Sequence, residues 1–158
     1  MVRERHNEDP EHRAKSAALR LLARREHSRF ELTLKLRQRK LESPVIESVL
    51  DEFESEGWLS DERFAEVYTR SRVDQGYGPL RIRAELQQKG IRFIPESLSE
   101  IPESQWLEMA LAMRARKYGL SDLSEDWPAR AKQARFLSQR GFSADQVEQA
   151  LLQSRESE

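Results

Sequence analysis

Residues Asp74–Ile91, DQGYGPLRIRAELQQKGI, set a Gly-x-Gly-Pro turn directly before a basic helical segment. Such a turn either cradles a phosphate or only reverses the chain between two helices. A phosphate loop needs several backbone N–H groups converging on an anion. In its recognised forms it follows a strand, with Gly-x-Gly-x-x-Gly or Gly-x4-Gly-Lys-Ser/Thr spacing. Here a helical pattern precedes Gly76, no third glycine stands at the required place, and Pro79 removes a donor. The glycines supply dihedral freedom for the reversal, and Pro79 begins the next helix. The stretch reads as a corner, and it presents Tyr77 beside Arg81 and Arg83. An aromatic flanked by guanidiniums can stack on bases or anchor a protein interface. It can equally pack on its own turn, leaving the arginines solvated.

Outward from the corner, nearly every apolar pattern has helical period, and no stretch alternates convincingly as a strand. Ala14, Ala17, Ala18, Leu21 and Leu22 mark a first helix, and Ser28 with Glu31 forms a capping-box signature ahead of LTLKLRQRK. Ser43 and Pro44 open a third segment, with proline at its tolerated first position, and Ile46, Val49, Leu50 and Phe53 line one face. Gly57 stops that helix, Ser60 caps another, and Leu59 and Phe64 hold hydrophobic-staple positions.

The pattern then returns. Phe64, Val67, Tyr68 and Ser71 fall fifty positions after Ala14, Ala17, Ala18 and Leu21. Leu80, Ile82, Ala84, Leu86 and Ile91 fall fifty after Phe30, Leu32, Leu34, Leu36 and Leu41. A weaker third copy opens with Leu107, Ala110 and Leu111, answers Leu86 and Ile91 with Leu137 and Phe142, and closes with Val147, Ala150 and Leu151 behind a Ser143/Gln146 capping box. It carries extra residues around YGLSDLSEDWP.

A period of this size marks a solenoid-like array. The expected fold is all-α: three tandem three-helix repeats over residues 14–59, 60–102 and 103–158, in an elongated array, curved or straight. A flexible charged tail is expected at 1–13. In the middle helices Phe30 and Leu34 lie opposite Leu32 and Leu36, and Leu80/Ala84 opposite Ile82/Leu86. A helix with two apolar faces is sandwiched between neighbours or shows one face as a contact surface. Gln133 and Arg135 break the pattern in the third copy, as expected of a terminal repeat facing water.

Composition narrows the function classes. Of 158 residues 35% are charged, and the mean hydropathy of -0.82 implies a thin or extended core. There is no cysteine for a disulfide or thiolate metal site. The start, MVRERHNEDPEHR, has no apolar run of a signal peptide or anchor, and no window approaches the ~18 apolar residues of a spanning helix. A cytoplasmic protein without membrane contact is expected. His6, His12 and His27 lack metal-ligand spacing and read as solvated. Asp51, Glu52, Glu54 and Glu56, then Asp61 and Glu62, read as a solvated face and helix-start charges rather than catalytic pairs. The serines lack a nucleophile-elbow context. The chain reads as a non-enzyme, with no catalytic, cofactor-binding or metal residues.

The net charge of -1 conceals a pattern. Segments 1–42, 43–66, 67–94, 95–126 and 127–158 carry +5, -7, +4, -4 and +1. Basic patches of the sort that meet nucleic acid or an acidic partner therefore remain open. Lys35, Arg37, Arg39 and Lys40 stand in the first copy, and Arg70, Arg72, Arg81, Arg83, Lys89 and Arg92 in the second. The register pairs Arg39 with Lys89, and Arg140 falls near the same place in the third. Cations repeated at one position of stacked units would form a stripe able to read a long partner. The plain alternative is ordinary helix-surface charge placed to suit the dipole.

SRFELTLKLRQRKL, GWLSDERFAEVYTRSRV and GYGPLRIRAELQQKGI resemble the signature segments of the RecX family, bacterial regulators of the RecA recombinase. The resemblance covers roughly residues 14 to 154, is strongest in the second copy, and departs in the third, where ARFLSQRGF keeps only the Leu137 and Gly141-Phe142 echo. It implies an all-helical protein of tandem three-helix repeats. Such a protein would lodge in the groove of the RecA–DNA filament and restrain ATP hydrolysis, filament extension and strand exchange. Those processes belong to homologous recombination, DNA repair and the SOS response. It further implies no catalytic residues. The expected partners are the RecA nucleoprotein filament and single- or double-stranded DNA, met by a monomer through Tyr77, Arg81, Arg83, Lys89, Arg37, Arg39, Lys40, Arg70 and Arg72. A sequence-independent DNA-binding helical protein is the main alternative, and a structural adaptor for another assembly a second.

Overall fold

The computed structural model describes residues 9–154, and the first eight residues of the expected tail lie outside them. The described residues form nine helices and no strand, so the chain is all-α as expected. They are α1 (Pro10–Arg24), α2 (Arg29–Gln38), α3 (Ser43–Ser55), α4 (Asp61–Asp74), α5 (Pro79–Gln88), α6 (Glu96–Ser99), α7 (Glu103–Tyr118), α8 (Trp127–Arg140) and α9 (Ala144–Leu152). The tail boundary at residue 13 needs correction. Asp9 accepts a hydrogen bond from the Glu11 amide at 3.1 Å and Pro10 fits the first turn, so α1 begins before its apolar run does.

Two compact units emerge. One takes in the chain up to Val67 with Gln87–Arg92, and the other takes Tyr68–Leu86 with the chain from Phe93 onward. The boundary thus falls inside α4 and inside α5.

In the first unit α1, α2 and α3 pack on one another around Ala14, Ala18, Leu32, Leu36, Ile46, Val49, Leu50 and Phe53, none more than 1% exposed. The Ser28 hydroxyl accepts from the Glu31 amide while the Glu31 carboxylate accepts from the Ser28 amide, completing the capping box. Residue Ser43 is the first helical residue of α3 rather than its cap, and the preceding Glu42 makes no side-chain cap. Proline is still tolerated there because the first-turn amides have no helical acceptor. Ser60 accepts from the Arg63 amide, capping α4 as expected.

In the second unit α7 packs on α8 and α9. Arg114 of α7 is fully buried, and Gln133, whose side-chain oxygen accepts from Arg114 Nε at 2.8 Å, is buried beside it. Gln133 therefore does not face water. The polar break in the third repeat's pattern is an internal hydrogen bond, and only Arg135 is exposed.

Several helix ends share one device. After α4 the Tyr77 amide donates to the Arg72 carbonyl and the Gly76 amide to Val73, with Gly76 at φ 84°, a Schellman ending. After α8 the Phe142 and Gly141 amides donate to Leu137 and Ser138 in the same way, with Gly141 at φ 102°. After α2 the Leu41 and Lys40 amides do so to Leu36 and Arg37. Here the left-handed position belongs to Lys40, at φ 65°, the only non-glycine with positive φ among the described residues. Gly90 and Gly141 occupy the corresponding turns after α5 and α8.

Candidate interaction surface

The corner around Tyr77 is built by backbone approach. The Gly78 amide donates to the Arg140 carbonyl at 2.8 Å, and the Leu80 amide to the Gly141 carbonyl at 2.9 Å. A Cβ on Gly78 would overlap the Gly141 carbonyl group. These amides meet backbone carbonyls, not an anion, and the corner reading stands.

Tyr77 sits half-buried among three guanidiniums. Those of Arg140, Arg81 and Arg72 lie 4.2, 4.3 and 4.6 Å from its ring centre. Each ring face attracts cations through the aromatic quadrupole. The cations are held from the other side. Arg72 grips Glu85 with Nε and Nη2, both at 2.9 Å, and Tyr68 donates its hydroxyl to the same carboxylate at 3.0 Å. Arg81 reaches the Gln139 carbonyl at 3.1 Å and Glu85 at 3.4 Å. Arg140 donates to the Gln75 carbonyl. Burial would push the Glu85 carboxyl up, but the hydrogen bonds from Arg72 and Tyr68 outweigh it and hold it below the usual range. Of the expected contact residues, the structure thus brings Tyr77, Arg72 and Arg81 into one internal network.

The others are placed differently. Arg83 is exposed on α5, outside any ion pair among the described residues. Arg37, Arg39 and Lys40 are exposed together at the end of α2, also outside any ion pair there. Arg70 is exposed on α4. Lys89 is half-buried and pairs with Glu31 at 3.5 Å. Within the stripe positions, Arg39 is open to solvent while Lys89 and Arg140 are engaged in their own units.

The outer faces of the middle helices are exposed, with Phe30 at 47%, Leu34 at 42% and Leu80 at 56%, while Leu32, Leu36, Ile82 and Leu86 are core. Of the two options for a helix with two apolar faces, the structure realises the exposed one.

His27 is not solvated. It is 1% exposed, with Nδ1 3.1 Å from the Arg25 carbonyl and Nε2 2.9 Å from Lys35 Nζ. Those distances suit a neutral ring that donates from Nδ1 and accepts at Nε2. Burial pushes its pKa down, partly opposed by the Arg25 carbonyl. No helical period marks it, since it lies in the link between α1 and α2. Arg114 was equally unmarked. Its guanidinium donates to the Ala150, Gln153 and Ser121 carbonyls at 3.0, 2.6 and 2.7 Å as well as to Gln133, and among the described residues it meets no carboxylate. A single arginine in RARK gives no signal of burial.

Among the described residues no group of three or more His, Cys, Asp or Glu stands where a metal ion could be held, and no helix is long and apolar enough to cross a membrane.

Sequence models of the RecX first, second and third three-helix domains match residues 14–53, 60–92 and 103–151. The chain is 45% identical over 137 residues to a protein of Halorhodospira halophila named regulatory protein RecX, covering 86% of this chain and 84% of that one. A Pseudomonas fluorescens protein of the same name is 46% identical over 136 residues, covering 85% and 86%. Among solved structures, RecX from Lactobacillus salivarius superposes with a TM-score of 0.76 at 22% identity, over 90% of this chain and 95% of that one. That likeness concerns the fold.

Proposed function

The chain belongs to the RecX family of regulatory proteins, and from that premise we propose that it binds the RecA–DNA filament and restrains its ATP hydrolysis, extension and strand exchange. It acts as a cytoplasmic monomer, without catalytic residues or cofactor, within recombinational repair and the SOS response. The repeats that carry it are taken as 14–59, 60–102 and 103–158.

One observation carries the choice of contact surface. Lys40 holds a left-handed backbone that L-residues adopt at a cost of about 1–2 kcal/mol, where the corresponding turns use glycine. Strained residues of that kind cluster at binding and switch sites. Arg37 and Arg39 stand beside it, and Arg83 offers an open cation on the second repeat's middle helix. Tyr77, Arg81 and Arg72 act one step back: they fix the corner from which α5 projects. Lys89 and Arg70 complete the expected set. The mechanism is differential binding. A wedge that prefers a filament geometry poor in hydrolysis and extension shifts the filament towards it. Several modest contacts along a repeating partner multiply in avidity.

The test is co-sedimentation with RecA filaments preassembled on single-stranded DNA. Arg37→Glu, Lys40→Glu and Arg83→Glu combined should weaken binding at least tenfold with helical content unchanged. Undiminished binding by that triple variant would overturn the role proposed for these cations.

A further inference from the structure

A groove of about 330 Å³ opens beside α1, and of its lining only Arg39 belongs to the contacts proposed above. Its walls are His12, Arg13, Ser16 and Arg20 from α1 and Arg39 from the end of α2, over a floor of Ala17 and Leu41. Spacings of three and four residues bring Arg13, Ser16 and Arg20 onto one face of the helix. Arg13 ties the two walls together, donating from Nη2 to the Arg39 carbonyl at 3.0 Å.

The chemistry of the lining is one-sided. Three arginines, a histidine and a serine line the groove, and among the described residues no carboxylate does. The nearby acids are directed elsewhere: Glu11 and Glu52 both hold Lys15, at 3.4 and 3.1 Å. Arg20 and Arg39 make no ion pair among the described residues. Here the cations are left facing a shared concavity, the arrangement that binds a tetrahedral oxyanion with forked N–H donors.

We infer that this groove is a phosphate-ester site, taking either a backbone phosphate of a nucleic-acid strand or the phosphates of a free nucleotide. Arg20 and Arg39 supply the open forks, Ser16 a hydroxyl donor, and Arg13 the brace that holds both walls. The inference does not depend on the filament reading, because the ligand is the phosphate and its test contains no RecA.

The test uses the full chain and three probes: a single-stranded 20-mer oligonucleotide, ATP and inorganic pyrophosphate. Fluorescence anisotropy with the 20-mer across a salt series should show affinity that falls with salt. Arg20→Gln with Arg39→Gln should reduce the slope of log K against log salt by about 1.4, from about 0.7 per phosphate contact on single strands. Arg116→Gln, an exposed cation on α7, should shift it less than that pair does. Amide NMR adds a readout independent of variant folding: pyrophosphate titrated into the unaltered chain should move the Ser16, Arg20 and Arg39 signals first. Loss of 20-mer binding with no response to ATP supports the inference and identifies a strand as the source. A response to ATP at these residues supports it and identifies a nucleotide. Amide signals at these positions unmoved by pyrophosphate, with an unchanged salt slope in the double variant, overturn it.

Discussion

The Arg140 guanidinium stands 4.2 Å from the centre of the Tyr77 ring, sixty-three residues away in sequence, within the corner closed by the Gly78 and Leu80 amides. Tyr77 is therefore a keystone before it is a contact. Tyr77→Ala should destabilise the protein by about 2 kcal/mol, from three cation–π contacts of about 0.5–1 kcal/mol each, reduced by partial solvation. Tyr77→Phe should cost less than half of that, since the ring supplies the attraction. Urea unfolding of the two variants gives the comparison. If alanine is as well tolerated as phenylalanine, the ring is not what holds the arginines.

Lys40 offers a separation of stability from function. Lys40→Gly should stabilise the protein by about 1 kcal/mol, because glycine adopts φ 65° without steric penalty. The same variant should bind RecA filaments more weakly. A gain in urea midpoint with unchanged binding would make Lys40 a tolerated imperfection rather than a retained contact.

Two groups in the first unit link stability to pH. Burial would push the Glu31 carboxyl up, but hydrogen bonds from Arg25 and the Ser28 amide, with the charges of Arg25 and Lys89, hold it at about 2. A carboxyl depressed in the folded state stabilises fully above its usual value of 4.5, and that contribution is lost as pH falls towards 2. Burial likewise depresses His27 below its usual 6.5, so the unfolded chain takes up this proton first and stability also falls as pH drops below 6.5. Glu31→Gln should lose at most about 3 kcal/mol at pH 7 and flatten the profile below 4.5. His27→Gln should flatten it just below 6.5. Urea midpoints between pH 8 and 3 report both windows, and an unaltered profile in either variant would contradict its assignment.

The helices were legible in the sequence because their cores repeat with helical period: Leu32 and Leu36, then Ile82 and Leu86, are buried where the register puts them. Caps at Ser28, Ser60 and Ser143 were legible because a hydroxyl at the start of an apolar run has one local use. Long-range polar contacts were not. Gln133 breaks an apolar pattern whether it faces water or Arg114, and the partner lies nineteen residues away. His27 is buried by tertiary packing that leaves no periodic trace. The candidate cations were found by their type, but type does not say that Arg72 is committed to Glu85 while Arg83 is open.

We propose that this chain restrains RecA filaments. That restraint is tested most directly by single-strand-DNA-dependent ATP hydrolysis by RecA, with the protein added well below one copy per RecA. Inhibition is expected at such ratios, weakened in the combined Arg37→Glu, Lys40→Glu and Arg83→Glu variant. Hydrolysis unaffected even at molar excess, with the protein folded, would contradict it and leave the family likeness as a statement about fold.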